Sequence, residues 1–262
     1  MNPLTLDQRL QHQIERLERS ETGQQLGANL QELREKNWVT IGYFSPEQAE
    51  DYKQLSGVTD TTFRNQMNVN GPEPVYTSVA LNPYGSDNAL FLTLVHEARH
   101  CWQDWKDPYP YGKTPESYVM RGFAQEADAT AHECRVAYEL AQSGDSGPWE
   151  HFRDDPQRKD IAHVFVEALP QGMSAAMEAA HYQWERSSDR CEDYRTQFVT
   201  EAHYAQTGQA RMLLHTEAAD IKTELDTNLA LRLQSLEMPR IQEPMLEPER
   251  TRRPSLDRGI GF

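Results

Sequence analysis

His96, Glu97 and His100 stand as His-Glu-x-x-His within LFLTLVHEARHCWQDW, residues 90–105. On a helix, residues four apart share a face, so both imidazoles can converge on one metal ion. Glu97 sits about 100° further round, beside that ion's open coordination positions, where it can take a proton from water. The flanking residues are apolar enough for a buried helix, and burying three ionisable side chains is costly without a partner. A divalent cation is a partner that uses all three. Ordinary histidines satisfied by hydrogen bonds are the competing reading. Imidazole and carboxylate ligands in a tetrahedral site point to zinc, one ion per chain.

A hydrolytic zinc site takes a third protein ligand and leaves one position for water. Glycine at 103 with histidine at 106 would complete one arrangement, but the chain has Gln103 and Lys106. Asp107, in DPYPYG, is one acid soon after the motif. The stronger candidates lie in FAQEADATAHE, where Glu126 follows His100 by 26 residues. That is enough chain for a loop and an antiparallel helix to bring a carboxylate back across the metal. Asp128 is the rival. Two residues apart on a helix means about 200°, so the two acids cannot both reach one ion. Both flank the apolar stripe, and the helical wheel does not choose between them. The longer side chain of Glu126 favours it as ligand, with Asp128 as an acceptor that orients a histidine; the ordinary reading of either is a solvated or ion-paired acid. Arg99 is read as pairing with an acid such as Asp128 or as exposed, and Trp102 and Trp105 as core.

These residues need elements to position them. Phe91, Leu94, Val95, Ala98, Cys101, Trp102 and Trp105 keep a three-and-four spacing that predicts a helix from Asp87 to Trp105, with Ser86 as N-cap. Thr93, His96, His100 and Gln103 form its polar stripe. After the proline- and tyrosine-rich KDPYPYGKTP, the spacing of Val119, Phe123, Ala127, Ala131, Cys134 and Tyr138 predicts a second helix from Glu116 to Ala141. Upstream, residues 4–36 read as two short helices broken around Gly23 and Gly27, WVTIGYF and VYTSVAL as strands, and Ser45–Pro46 as the start of a short helix. A polar loop is expected through Asn70–Gly71–Pro72. Residues 160–237 read as helical, with breaks at Pro170–Gly172 and around Thr207–Gly208. The expected division is a helical N-terminal segment 1–36, a core 37–143, a helical subdomain 144–237 and a disordered tail 238–262 rich in proline and charge.

With 41 acidic against 26 basic side chains, the net charge is −15, a field that repels nucleic acid and anionic membranes. Neither is expected as a partner. Cys101, Cys134 and Cys191 are odd in number and lack a Cys-x-x-Cys pair, which suits a reducing compartment rather than a disulfide framework. The N-terminus has no apolar signal core, and no segment reaches the roughly eighteen uncharged residues of a membrane span. A soluble chain is expected, cytoplasmic or secreted through a system without a cleaved signal peptide. The sequence does not specify an oligomeric state.

LVHEARHCWQ followed by a helix containing EADA resembles the gluzincin branch of the zincin metallopeptidases. More narrowly, it is similar to bacterial metallopeptidase families of unknown function with an HExRH helix and an EADA segment, over residues 75–140. Asp107 only loosely echoes the aspzincins, since no Gly-Thr precedes it. The resemblance implies an α+β, mainly helical fold: a zincin-like core of small sheet and active-site helix, with a helical C-terminal subdomain. VYTSVAL would line the cleft and offer an exposed edge to an extended peptide. Zinc would be held by His96, His100 and Glu126, with Glu97 as general base toward a peptide or protein substrate. Such sites commonly add an oxyanion donor, which His181, Tyr182, Tyr194, Arg195, His203 and Tyr204 could supply, although the ordinary reading of each is a packing or surface residue. Thr130 stands where gluzincins often carry an acid, four residues beyond the liganding glutamate. A hydrolase of a non-peptide bond and a helical interaction protein with a structural metal are the two other classes. A housekeeping enzyme and a bacterial effector or toxin protease fit equally.

Overall fold

The computed structural model describes residues 5–51, 56–64, 73–106 and 115–207. The expected tail, the Asn70–Gly71–Pro72 loop, Asp107 and the helical pattern beyond 207 lie outside these residues. Two helices open the chain, α1 (Leu6–Leu17) and α2 (Glu21–Glu35), but the break falls at 18–20, where Ser20 caps α2, and not around Gly23 and Gly27, which both lie inside α2. Thr5 and Gln8 form a reciprocal capping box on α1, and the Ser20 side chain accepts from the Gly23 N–H to start α2. Then come β1 (Val39–Tyr43), α3 (Pro46–Asp51), β2 (Gly57–Arg64) and β3 (Glu73–Leu81).

The sheet order is β1-β3-β2, with β1 parallel and β2 antiparallel to β3. This corrects the expectation that VYTSVAL exposes an edge: β3 is central, and among the described residues β1 and β2 are the two edge strands. Sequence patterning overlooked β2 because GVTDTTFR is polar. Thr59 and Thr61 carry the β-branched preference without the apolar alternation, since they hydrogen-bond into the interior instead of packing as hydrocarbon. The Thr61 and Thr77 hydroxyls lie 2.9 Å apart, and the Trp105 indole N–H donates to Thr77 at 2.6 Å. Trp105 also stacks on Trp38, with ring centroids 4.8 Å apart.

The remainder is helical: α4 (Asp87–Lys106), α5 (Pro115–Gln142), α6 (Gly147–Asp154), α7 (Lys159–Ala168), a 3-10 turn (Leu169–Gln171), α8 (Met173–Glu185) and α9 (Ser188–Thr207). The break between α8 and α9, at Arg186–Ser187, was not legible in the pattern. Among the described residues, no helix is long and apolar enough to cross a membrane. All three cysteines are buried free thiols.

Helix α4 is the centre of the packing, touching α1, α2, α5, α6, β2 and β3. Leu90, Phe91, Leu92, Leu94, Val95, Ala98 and Cys101 are all buried, so α4 is apolar on most of its circumference and polar only along the histidine stripe. On α5, Val119, Phe123, Ala127, Ala131 and Cys134 are buried as predicted. Trp102 is not part of the core cluster, contrary to expectation; its ring lies under the Arg99 guanidinium, 4.0 Å away.

Two glycines permit close approaches that shape the site. A Cβ on Gly57 would lie 2.5 Å from Thr93 Cγ2 and 3.3 Å from Glu97 Cγ, so β2 can press against α4 only without a side chain there. Thr93 is buried and its hydroxyl is tied to the Ala89 carbonyl, which hinders its retreat. Gly57→Ala is expected to destabilise the fold by roughly 1–3 kcal/mol, as overpacking does, read as a lower denaturation midpoint at unchanged slope. A Cβ on Gly122 would lie 2.7 Å from the Phe198 ring, so Phe198 of α9 can seat this closely on α5 only where that position lacks a side chain.

Candidate metal centre

The contacts between α4 and α5 run in opposite senses along the two helices. His96 meets Glu133 and Glu126, whereas Gln103 meets Gln125. The helices are therefore antiparallel, as the loop between them suggested. Their facing turns bring together His96, His100 and Glu126, whose ligand atoms all lie within 4.8 Å of one another.

Glu126 forms the junction. Its Oε2 is 3.1 Å from His96 Nε2 and its Oε1 is 3.3 Å from His100 Nε2. Ligand atoms about 2.0–2.1 Å from a tetrahedral zinc ion lie roughly 3.3 Å apart, so both separations fit a shared ion. The opposite ring nitrogens have acceptors of their own. His100 Nδ1 faces Gln103 Oε1 at 2.8 Å, and Gln103 Nε2 donates to Asp128 Oδ2 at 2.8 Å and to the Gln125 carbonyl at 3.1 Å. His96 Nδ1 faces Glu133 Oε2 at 3.5 Å, and these two buried atoms have no hydrogen bond in this arrangement. An acceptor at Nδ1 holds the proton there and leaves the Nε2 lone pair for a metal. The donor set and its surroundings fit a divalent cation.

Asp128 is turned away from the ligand atoms. It accepts from Arg99 Nε at 2.5 Å and from Gln103, and it lies 3.4 Å from His132. Its link to His100 therefore runs through Gln103. Glu97 lies on the other flank of the histidine stripe, 6% exposed, where its Oε2 accepts from the Thr59 hydroxyl of β2 at 2.7 Å.

Two contributors escaped the sequence reading. Glu133 is fully buried and ion-paired to Arg158, from the turn before α7, at 3.0 Å. It lies seven residues after Glu126, two helical turns on the same face, and that spacing could have singled it out. Thr59 carried no such signal, because the strand that presents it went unrecognised. Of the six candidate oxyanion donors, Tyr194 is the one near enough to the centre for the Glu126 charge to act on its phenol. That charge first, then burial, pushes its phenol pKa up. Tyr194 stacks on Phe198 with centroids 5.7 Å apart, so the Gly122 contact one turn away helps place it. His181 pairs with Glu185 and Tyr182 is exposed; Arg195 pairs with Glu192, and the side chains of His203 and Tyr204 lie outside the described set.

A family model matches residues 72–230, more than half of the chain. The chain belongs to the Putative metallopeptidase family (DUF6782). No curated protein and no solved structure matches it. The DUF6782 match spans β3, α4 and α5, and so all three residues of the candidate metal site, and continues through α9 with Tyr194.

The electrostatics of the metal-free centre lead to a pH prediction. Burial disfavours a charged His96, but the hydrogen bond to Glu126 and the nearby carboxylates of Glu126 and Glu133 outweigh it and push its pKa up to about 10. Glu126 is also opposed by burial, yet the two histidines hold its carboxyl well below the usual range. A folded-state pKa raised above the ordinary 6.5 means that protonation favours the metal-free fold. That contribution is complete below about pH 6.5 and is lost as pH rises through about 10. A metal must displace this proton. Zinc added to weakly buffered metal-free protein at pH 7–8 is expected to release protons, with apparent affinity rising toward pH 10. Titration calorimetry in buffers of different ionisation enthalpy checks this, and uptake without proton release would contradict it.

Proposed function

We propose that the chain is a zinc-dependent peptidase of gluzincin type, with zinc held by His96, His100 and Glu126 and with Glu97 as general base. The observation that carries this reading is the division of labour in both imidazoles, each Nε2 turned to Glu126 and each Nδ1 to a separate acceptor. Zinc bound there supplies Lewis acidity that activates water and polarises a carbonyl. Thr59 engages Glu97 Oε2, which leaves Oε1 to take the proton of the attacking water and return it to the departing amine nitrogen. Tyr194, near enough to Glu126 to feel its charge, is the donor for charge that develops on the carbonyl oxygen. Glu133 and Gln103 orient the two histidines.

The substrate is an extended peptide that pairs with the open edge of β2, beside Glu97. The catalytic unit is residues 37–143, and the helices after 144 complete it through Arg158 and Tyr194.

The test uses the full chain, with metal content measured, against a mixed peptide library read by mass spectrometry. Expected is cleavage that stops when a chelator strips the metal and returns when zinc is restored. A chain that holds stoichiometric zinc and cleaves nothing, or cleaves equally well without metal, would overturn the proposal.

A further inference from the structure

On α4, Arg99 diverges from Glu97 by about 200°, so it leaves the helix on the opposite flank of the histidine stripe. There, between α4 and α5, lies a groove of about 340 Å³ lined by Arg99, Trp102, Gln103, Arg121, Gln125 and Asp128, with others. Such a volume is within the range of small-molecule sites. Arg99 is held rigidly. Its Nε donates to Asp128, its guanidinium plane lies over Trp102, and its side chain is only 14% exposed. Among the described residues, neither Nη group of Arg99 has a hydrogen-bond partner. The fork is thus oriented by one bond and one ring contact, with its other donors available.

We propose that this groove is a carboxylate-binding site, distinct from the cleavage site, in which the Nη fork of Arg99 takes the two oxygens of a ligand carboxylate. A planar carboxylate matches two parallel guanidinium donors, and Arg121 adds positive charge to the same groove. Asp128 at the groove wall, in a chain of net charge −15, favours a monoanionic group over a phosphate dianion. The ordering cost is small because Asp128 and Trp102 already fix the arginine. Gln103 belongs to both the groove wall and the His100 contact, so an occupied groove adjoins the metal centre through one side chain.

The site does not depend on turnover, and its test is separate from that of the peptidase reading. Calorimetry of the full-length Glu97→Gln chain, metal-free and zinc-loaded, is run with succinate and with a blocked tetraglutamate peptide, which distinguishes a small acid from an acidic segment. Saturable binding of either is expected in both metal states. Arg99→Lys, which keeps the charge but loses the fork, is expected to weaken it by roughly tenfold or more. Gln125→Glu places a negative charge in the groove without touching the Arg99–Asp128 pair, and a similar loss is expected. Four results would overturn the proposal: no saturable binding, binding unchanged in both variants, binding only after zinc is added, or inorganic phosphate binding as tightly as the carboxylates.

Discussion

Glu97→Gln is expected to lower peptide hydrolysis by about 10²–10⁴-fold, the usual contribution of a positioned general base, while zinc remains bound. Glutamine has nearly the same shape, and its amide oxygen can still accept the Thr59 hydroxyl that now meets Oε2. The packing of α4 on β2 is therefore retained, and what disappears is a group able to take and return a proton. Glu97 is not among the three converging ligand residues, so the metal should stay. Measuring kcat/KM beside zinc content on the same preparation separates the two effects. Activity within tenfold of the unmodified chain, with zinc bound, would remove Glu97 from the chemistry.

The second large effect separates the two acids of EADA. Glu126→Ala removes the carboxylate shared by both Nε2 atoms, and its loss of zinc affinity is expected to exceed the 10–100-fold typical of losing an outer partner. Asp128→Ala and Glu133→Gln each disturb one histidine from behind, and each is expected to stay within about that 10–100-fold range. Zinc affinities from competition with a fluorescent chelator would give the ranking, with circular dichroism to verify that each variant is folded. If Asp128→Ala lost the metal and Glu126→Ala kept it, the ligand assignment would be reversed.

The contrast between these acids shows where local pattern stops. Their separation of about 200° established that only one could reach the ion, but not which one. That choice depends on how α5 is rotated, and the rotation is set by Val119, Phe123, Ala127, Ala131 and Cys134 seating in the core. Seated so, Glu126 faces the histidines and Asp128 faces Arg99. The same rotation buries Glu133 behind His96, which turns an unremarked helix acid into a component of the site.

The sheet tells a similar story. WVTIGYF and VYTSVAL were legible as strands because β-branched and aromatic residues cluster in them. GVTDTTFR was not, since its inward threonines are polar and their value lies in partners on α4 and β3. Inserting β2 beside β3 changes which edge is open, and with it the place where an extended substrate could pair.

By itself the sequence determined the α+β, mainly helical class, the helix that carries His96, Glu97 and His100, and a returning helix with an acid for the third position. Those are properties of periodicity and spacing, which act over a few residues and survive in any packing. Only the tertiary structure decided that Glu126 is the acid that converges, that Thr59 holds Glu97, and that Tyr194 arrives from a helix some seventy residues further on. Each of those depends on the rotation of one element against another, which is fixed by the core as a whole rather than by any stretch of chain.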